Sequence, residues 1–354
     1  STGNDEFTSN SISLLSSHLI SSPIDSAQIT AIENRTEQLY FLVNTDGSLA
    51  VFTSQRAEKI AGWVLFETDG SYTSVACTTA GIYVATSRTI NGVTKYSLEQ
   101  FASQSFDVPT DYTITKTISG SYQPHGTPLT KGAVSSSTTF IADGFTNNPP
   151  SQSEQFQFGG TGTTYVIQSA TSTGTSGEYT IVVDAAVTQA DNTALQFVTS
   201  KSFSGLTTHI GKEVFATAGS TEGGAIYFFG KGTVSSSGNV TFTTPTSAAD
   251  IGIDYTTDVQ TLPIDSTIQS GQLTGFPRKI GKAIVELSTT YNIQVNSNDI
   301  LLLDGTNNPS LGLPNFTGKK EVYTLGYSLE PNLTISQSAP LPFRVLGITT
   351  EVYY

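Results

Sequence analysis

Three aspartates spaced by four, Asp250, Asp254 and Asp258, offer the most chemistry in this sequence. On one extended strand, positions four apart share a face. Such a row could hold Ca²⁺ through oxygen ligands or supply the acid and base of a polysaccharide hydrolase. Their surroundings argue for a plainer role. They are rich in Ser and Thr and supply no apolar pocket to raise a carboxyl pKa, so solvated or subunit-contact carboxylates are expected.

Other chemical templates fail on spacing. Gly159-Gly-Thr-Gly-Thr-Thr has the glycines of a phosphate loop but neither the lysine nor the following helix, so a turn is predicted. Gly275-Phe-Pro-Arg-Lys-Ile-Gly-Lys-Ala sets its glycines one residue too far apart and places Ala283 where a Mg²⁺-binding hydroxyl is needed; a strand with a cationic entry is predicted instead. His18, His125 and His209 are not spaced as metal ligands, and the single cysteine, Cys77, cannot complete a zinc site. His18 reads as a surface or capping residue, His125 as part of a loop without ligand types nearby, and His209 as a polar residue at a strand edge. Cys77 sits in an apolar run and reads as a small buried hydrophobe. No Gly-x-Ser-x-Gly elbow is present. The expectation is that no residue is catalytic, binds a cofactor or binds a metal, and that the chain is not an enzyme.

The elements around these residues are short strands. Between Tyr40 and Phe101 the sequence alternates runs such as Tyr40-Phe-Leu-Val, Gly62-Trp-Val-Leu-Phe and Ile82-Tyr-Val-Ala with breaks at Asp46-Gly47, Asp69-Gly70, Ala80-Gly81 and Asn91-Gly92. Asp-Gly and Asn-Gly tolerate the positive φ of tight hairpin turns. The regular interval between the last three breaks predicts a meander, an antiparallel sheet of about four or five strands like one blade of a β-propeller. Ile12-Ser-Leu-Leu-Ser-Ser-His-Leu-Ile predicts a short amphipathic helix or turn ending before Pro23. From about 137 to 203, period-two runs such as Thr164-Tyr-Val-Ile-Gln-Ser and Glu178-Tyr-Thr-Ile-Val-Val predict a small β-barrel or sandwich.

Composition fits this mainly β picture. Only 13% of the 354 residues are charged, too few to cover the helix surfaces of a helical cytosolic enzyme. The net charge of −13 argues against tight binding of a phosphate backbone, which requires basic patches that release counterions. Ordinary solubility is the simpler reading of that charge, which is also compatible with a wall past which DNA slides without sticking. No run reaches the roughly 18 apolar residues of a membrane helix, so a soluble protein is expected. The absence of methionine predicts that Ser1 is not the start of the gene and that the chain is a C-terminal fragment or a processed product.

An ordered set of segments carries a family resemblance. Val43-Asn-Thr-Asp-Gly-Ser-Leu-Ala-Val-Phe-Thr, Ala61-Gly-Trp, Thr68-Asp-Gly-Ser, Ser74-Val-Ala and Arg88-Thr-Ile-Asn-Gly-Val-Thr-Lys-Tyr come first. Phe203-Ser-Gly-Leu, His209-Ile-Gly-Lys-Glu-Val, Gly238-Asn-Val-Thr-Phe, Ile251-Gly-Ile-Asp-Tyr and the ending from Asn332 follow. Together they resemble the C-terminal half of the nozzle (tail tubular protein B-like) proteins of short-tailed bacteriophages. The resemblance covers most of 37–110 and 203–354 and leaves 113–202 unmatched.

It implies a structural subunit of a virion tail with no catalytic residue. The implied assembly is a hexameric ring below the adaptor ring, contacting tail fibres and enclosing the DNA ejection channel. The expected organisation is a linker with a short helix over 1–36, a blade-like sheet over 37–112, an inserted small β-domain over 113–203 and a C-terminal β-domain over 204–354. The rival from another class is a glycan-binding or polysaccharide-cleaving tail adhesin, for which 15 Tyr and 19 Phe supply stacking surface. A soluble β-propeller is a weaker third reading, because only one blade is evident where about four are needed.

Overall fold

Asn91 and Gly92 both adopt positive φ, 50° and 74°, as a two-residue type I′ hairpin requires. The turn joins two strands in the regular register expected of a meander. The structure, a computed structural model, describes residues 16–30, 37–55, 57, 59–102, 110–218, 226–264, 267–268, 271–272, 276–302, 313, 315–324, 326–337 and 339–354. Apart from a 3-10 turn at Ser17–Leu19, the regular structure of these residues is β-strand, so the expected fold class, mainly β with several antiparallel sheets, is what forms. No helix among the described residues is long and apolar enough to cross a membrane. The chain divides into two compact units, Ser1–Ser103 and Gln104–Tyr354.

The first unit holds two antiparallel sheets where the sequence predicts one. Strands β1 (Pro23–Ile29), β2 (Gln38–Asn44), β3 (Leu49–Gln55) and β4 (Ile60–Phe66) pair in that order, and β5 (Ser71–Thr78), β6 (Gly81–Ile90) and β7 (Val93–Gln100) form a second sheet. The division falls at Asp69-Gly70. Gly70 has φ 138°, and a Cβ there would sit 2.1 Å from the carbonyl oxygen of Ser87, so only glycine lets the chain cross so close to β6. Phe41, Val43, Leu49 and Val51 pack against Tyr72, Val75 and Val84, each contributing about 2 kcal/mol of burial.

Strand β1 lies in the stretch expected to be linker. Its opening proline and its Asp25, Ser26 and Gln28 disguise it, yet proline is tolerated at the start of an edge strand. Of the expected helix, Ile12–Leu15 lie outside the described residues, and Ser17–Leu19 form the 3-10 turn. Asn44, buried at the end of β2, holds this segment: its Nδ2 donates to Leu19 O (3.0 Å) and its Oδ1 accepts from Ser21 N (3.0 Å).

The second unit opens with β8 (Asp111–Thr117), β9 (Gly126–Thr130), β10 (Val134–Phe145), β11 (Gln155–Phe158), β12 (Thr164–Ser172), β13 (Tyr179–Gln189) and β14 (Leu195–Phe203). It continues with β15 (Glu213–Ala218), β16 (Tyr227–Thr233), β17 (Val240–Thr246) and β18 (Ala248–Ile253). A seven-stranded sheet, ordered β17-β14-β11-β12-β13-β10-β9, curls until Leu129 in β9 meets Ala194 just before β14. Phe140, Phe156, Phe158, Ile167, Ile181 and Phe197 fill its hollow, so the alternation seen between 137 and 203 builds a barrel-like wall.

This wall is not a separate module of residues 113–203. Strand β14 pairs with β17, so a strand beyond residue 203 completes it, and β8, at the start of the expected insert, pairs instead with β18 in the separate sheet β16-β15-β18-β8.

The remaining strands are β19 (Val259–Gln260), β20 (Thr267–Ile268), β21 (Gly271–Gln272), β22 (Lys279–Thr290), β23 (Gln294–Val295), β24 (Asn298–Asp299), β25 (Phe316–Tyr323), β26 (Thr334–Ser336) and β27 (Val345–Tyr353). The long, alternately buried β22 is the centre of the sheet β25-β22-β27. Its Ile280, Ala283, Val285 and Leu287 pack with Ile293, Leu333 and Ile335.

Candidate functional site

The three aspartates do not form a row. Asp250 lies in β18, where its Oδ1 accepts from Thr115 Oγ1 across the sheet (2.5 Å). Asp254 follows the strand's end, and Asp258 lies in the segment before β19. Shielding from water raises the carboxyl of Asp254 above its ordinary range, and the nearby charge of Glu213 adds to the shift. Its surroundings bring in a lysine–glutamate pair, Lys231 Nζ to Glu213 Oε1 at 3.0 Å, and neither of the other two aspartates. Among the described residues no group of three His, Cys, Asp or Glu side chains is placed to hold a metal ion.

The glycine-rich motifs are structural. Gly159, Gly160 and Gly162 all have positive φ and form the turn between β11 and β12, with a strand following where a phosphate loop would need a helix. Gly275 lies outside the described residues. Arg278 beside it is buried, with Nη1 donating to Ile264 O (2.6 Å) and Nη2 to Leu329 O (2.8 Å), so its guanidinium ties two loops to the entry of β22. Cys77 is half-buried against the core of the first unit. His18 is exposed on the 3-10 turn.

The other two histidines differ from their sequence readings. His209 is fully buried, stacked on Tyr112 with ring centroids 4.9 Å apart, and its Nε2 lies 2.7 Å from Tyr112 O. His125 has ligand-type neighbours after all. Its Nε2 lies 3.1 Å from Glu154 Oε2 and 3.0 Å from Ser200 Oγ, and its Nδ1 lies 3.0 Å from Asn148 O.

This serine–histidine–glutamate cluster has the residue types of a nucleophilic triad, but its geometry is that of a brace. All three side chains have 0% exposure. Glu154 also accepts from two backbone amides, Ser151 N (2.8 Å) and Lys201 N (2.7 Å). Nδ1 faces the Asn148 carbonyl, and Nε2 faces both Ser200 and Glu154, so the carboxylate does not hold the ring from the nitrogen opposite the serine as a triad requires. Phe145 and Phe197 close over the ring, so no substrate atom reaches Ser200.

A second buried polar cluster lies in the first unit. Arg88 grips Glu99 with both arms of its fork (2.9 and 3.0 Å) and donates to Thr68 Oγ1 (2.7 Å). Thr86 and Ser97 hydroxyls also donate to Glu99. The pair therefore locks the turn before β5 to the β6–β7 hairpin.

The surface differs from the interior in carrying uncommitted apolar groups. In β7, Tyr96 and Leu98 are 78% and 76% exposed. In β4, Ile60 and Val64 are exposed along an edge strand that carries no charge and no proline, the devices that usually blunt an edge. Beside the free edge of β27, a groove of about 470 Å³ is lined by Val259, Phe343, Val345 and Leu346 among others. No protein-family model matches the chain, and no curated protein matches it.

Proposed function

We propose that the chain is a structural subunit of a short phage tail, the nozzle or tail-tube ring that encloses the DNA ejection channel. The observation that supports it best is the contrast between interior and edges. The described histidines, arginines and carboxylates of the interior are used as braces, whereas β4, β7 and β27 present uncovered apolar side chains along sheet edges. A chain with unlike edges joins its copies head to tail, and the closed form of such a contact is a ring.

On this reading six copies form the ring, as the family resemblance implies, in the tail of the virion. The adaptor ring and tail fibres are its partners. Viral DNA passes through the lumen without sequence-specific contact, past a wall whose net charge of −13 disfavours adhesion. No residue is assigned a catalytic role. Sedimentation velocity tests the assembly: a single species several times the chain mass supports it, and a monomer at every concentration opposes it.

The alternative, a tail adhesin that cleaves polysaccharide, requires two facing carboxylates. No single strand carries the three candidate aspartates. Release of reducing ends from host polysaccharide would overturn the structural reading in its favour.

A further inference from the structure

Several asparagine side chains in this fold are anchored. Asn44 bonds through both amide atoms, Asn148 Nδ2 donates to Pro124 O (3.1 Å), Asn239 Nδ2 donates to Asn147 O (3.0 Å), and Asn296 Oδ1 accepts from Thr334 N (2.9 Å). Asn91 differs. It stands exposed at the tip of the β6–β7 hairpin, and its side-chain amide bonds to no described residue. Gly92 follows it, also exposed, and a Cβ built there would meet nothing within 4 Å. The bonds that close a two-residue hairpin belong to the flanking pair, here Ile90 and Val93. The Gly92 amide nitrogen is therefore left to solvent beside an unanchored side-chain carbonyl. The Asp-Gly turns lack this freedom: Asp46 Oδ1 accepts from the amide (2.9 Å) and hydroxyl (2.6 Å) of Ser48, and a Cβ at Gly47 or Gly70 would collide with Ser71 or Ser87.

We propose that Asn91 is a site of self-modification, at which the chain forms isoaspartate without an enzyme. The Gly92 amide nitrogen attacks Cγ of Asn91: the N–Cγ bond forms, the Cγ–Nδ2 bond breaks, and Nδ2 leaves as ammonia carrying the amide proton. Glycine permits the attack because no Cβ shields its nitrogen. Water then opens the cyclic imide. Opening at Cγ gives aspartate, and opening at the main-chain carbonyl gives isoaspartate, whose backbone runs through Cγ. Water is the only co-reactant, and either product adds a negative charge.

Isoaspartate lengthens the two-residue loop by a methylene. Loop length and turn type set the register of a hairpin, so the pairs Arg88 with Lys95 and Thr86 with Ser97 are carried out of register. Strand β7 is an edge strand held by β6 alone. Its Glu99 is the partner of Arg88, so the modification works that buried ion pair loose and destabilises the first unit. The proposal is independent of the ring reading, since a monomer and a ring carry the same hairpin.

The full chain is incubated warm at mildly alkaline pH, and trypsin then cuts after Arg88 and Lys95 to release Thr89–Lys95. That peptide is expected to gain about 1 Da with time and to be labelled by an isoaspartyl methyltransferase. Peptides carrying Asn44, Asn148 and Asn239 convert several-fold less. The urea midpoint followed by Trp63, the sole tryptophan, falls as conversion proceeds. Asn91→Gly keeps a turn-forming pair, since Gly-Gly also suits a type I′ turn, and its midpoint stays constant through the same incubation.

The proposal is overturned if Thr89–Lys95 from the intact chain keeps its mass under conditions that convert the free synthetic peptide of that sequence, because the hairpin would then shield the side chain. It is also overturned if the methyltransferase labels nothing, or if the midpoint of Asn91→Gly falls as fast as that of the parent chain. The mass and labelling readouts use the parent chain alone, so they decide the matter even where Asn91→Gly folds poorly.

Discussion

His125 Nε2 lies 3.1 Å from Glu154 Oε2 inside a fully buried pocket of the second unit, and the two residues are held from different loops of the curled sheet. Removing one member of a buried pair strands the other without water, at a cost of about 3–5 kcal/mol. Glu154→Gln and His125→Leu are each expected to lower stability by roughly that amount. Urea unfolding followed by circular dichroism measures the loss. Emission from Trp63, which lies in the first unit, should change little in the same experiment.

The Arg88–Glu99 pair makes the converse prediction for the first unit. Arg88→Lys keeps the charge but loses the two-armed grip, and the shorter fork of contacts no longer reaches Thr68 and both oxygens of Glu99 together. A destabilisation of about 2 kcal/mol is expected, and about 3 kcal/mol or more for Arg88→Met, which leaves Glu99 unpaired. Here Trp63 emission is the readout, and the transition it follows should shift to lower urea.

Acid should loosen the contact between β1 and β5. The Ser74 hydroxyl (2.5 Å), and after it the Val75 amide (3.0 Å), hold the Asp25 carboxyl below its ordinary value of 3.8. A folded-state pKa below the unfolded one contributes stability that is complete above about pH 4 and is lost as pH falls through the folded value. Asp25 remains accessible to water, so the effect is screened and modest. Melting temperature of the parent chain should fall more steeply below about pH 4 than that of Asp25→Asn, and parallel curves would remove Asp25 as the cause.

Calcium should have no stabilising effect through the three aspartates. Ions that bind only the folded state raise the melting temperature with concentration, and Asp250, Asp254 and Asp258 lie on a strand, at its end and in a following segment. Equal melting curves in EDTA and in millimolar Ca²⁺ are expected. A rise abolished by Asp254→Asn would restore the carboxylate row.

Local pattern made the strands legible. Asn91-Gly92 marked a type I′ turn, and the breaks at Asp69-Gly70 and Ala80-Gly81 marked the limits of β5 and β6, because turn chemistry and period-two alternation act within a few residues. Pairing was not legible. Nothing local announces that the chain leaves one sheet for another at Gly70, since the reason is the approach of Ser87 seventeen positions later.

Strand β1 was hidden by Pro23 and Asp25, polar features that suit an edge as well as a linker. The partners of His125 stand 29 and 75 positions along the chain, at Glu154 and Ser200, and His209 is covered by Tyr112 from 97 positions away. The signal for both brace sites was a histidine set among turn residues, too weak without the fold. Tyr40, Phe52 and Trp63 were readable only as members of three strands; that they stand opposite one another follows from the register.

The central claim is that uncovered sheet edges exist to join copies of this chain into a hollow ring, and imaging of the purified protein by negative-stain electron microscopy tests it most directly. The account predicts closed rings of one fixed symmetry with a central channel. Isolated single chains at concentrations well above those used for imaging, with no ring formed, would contradict it.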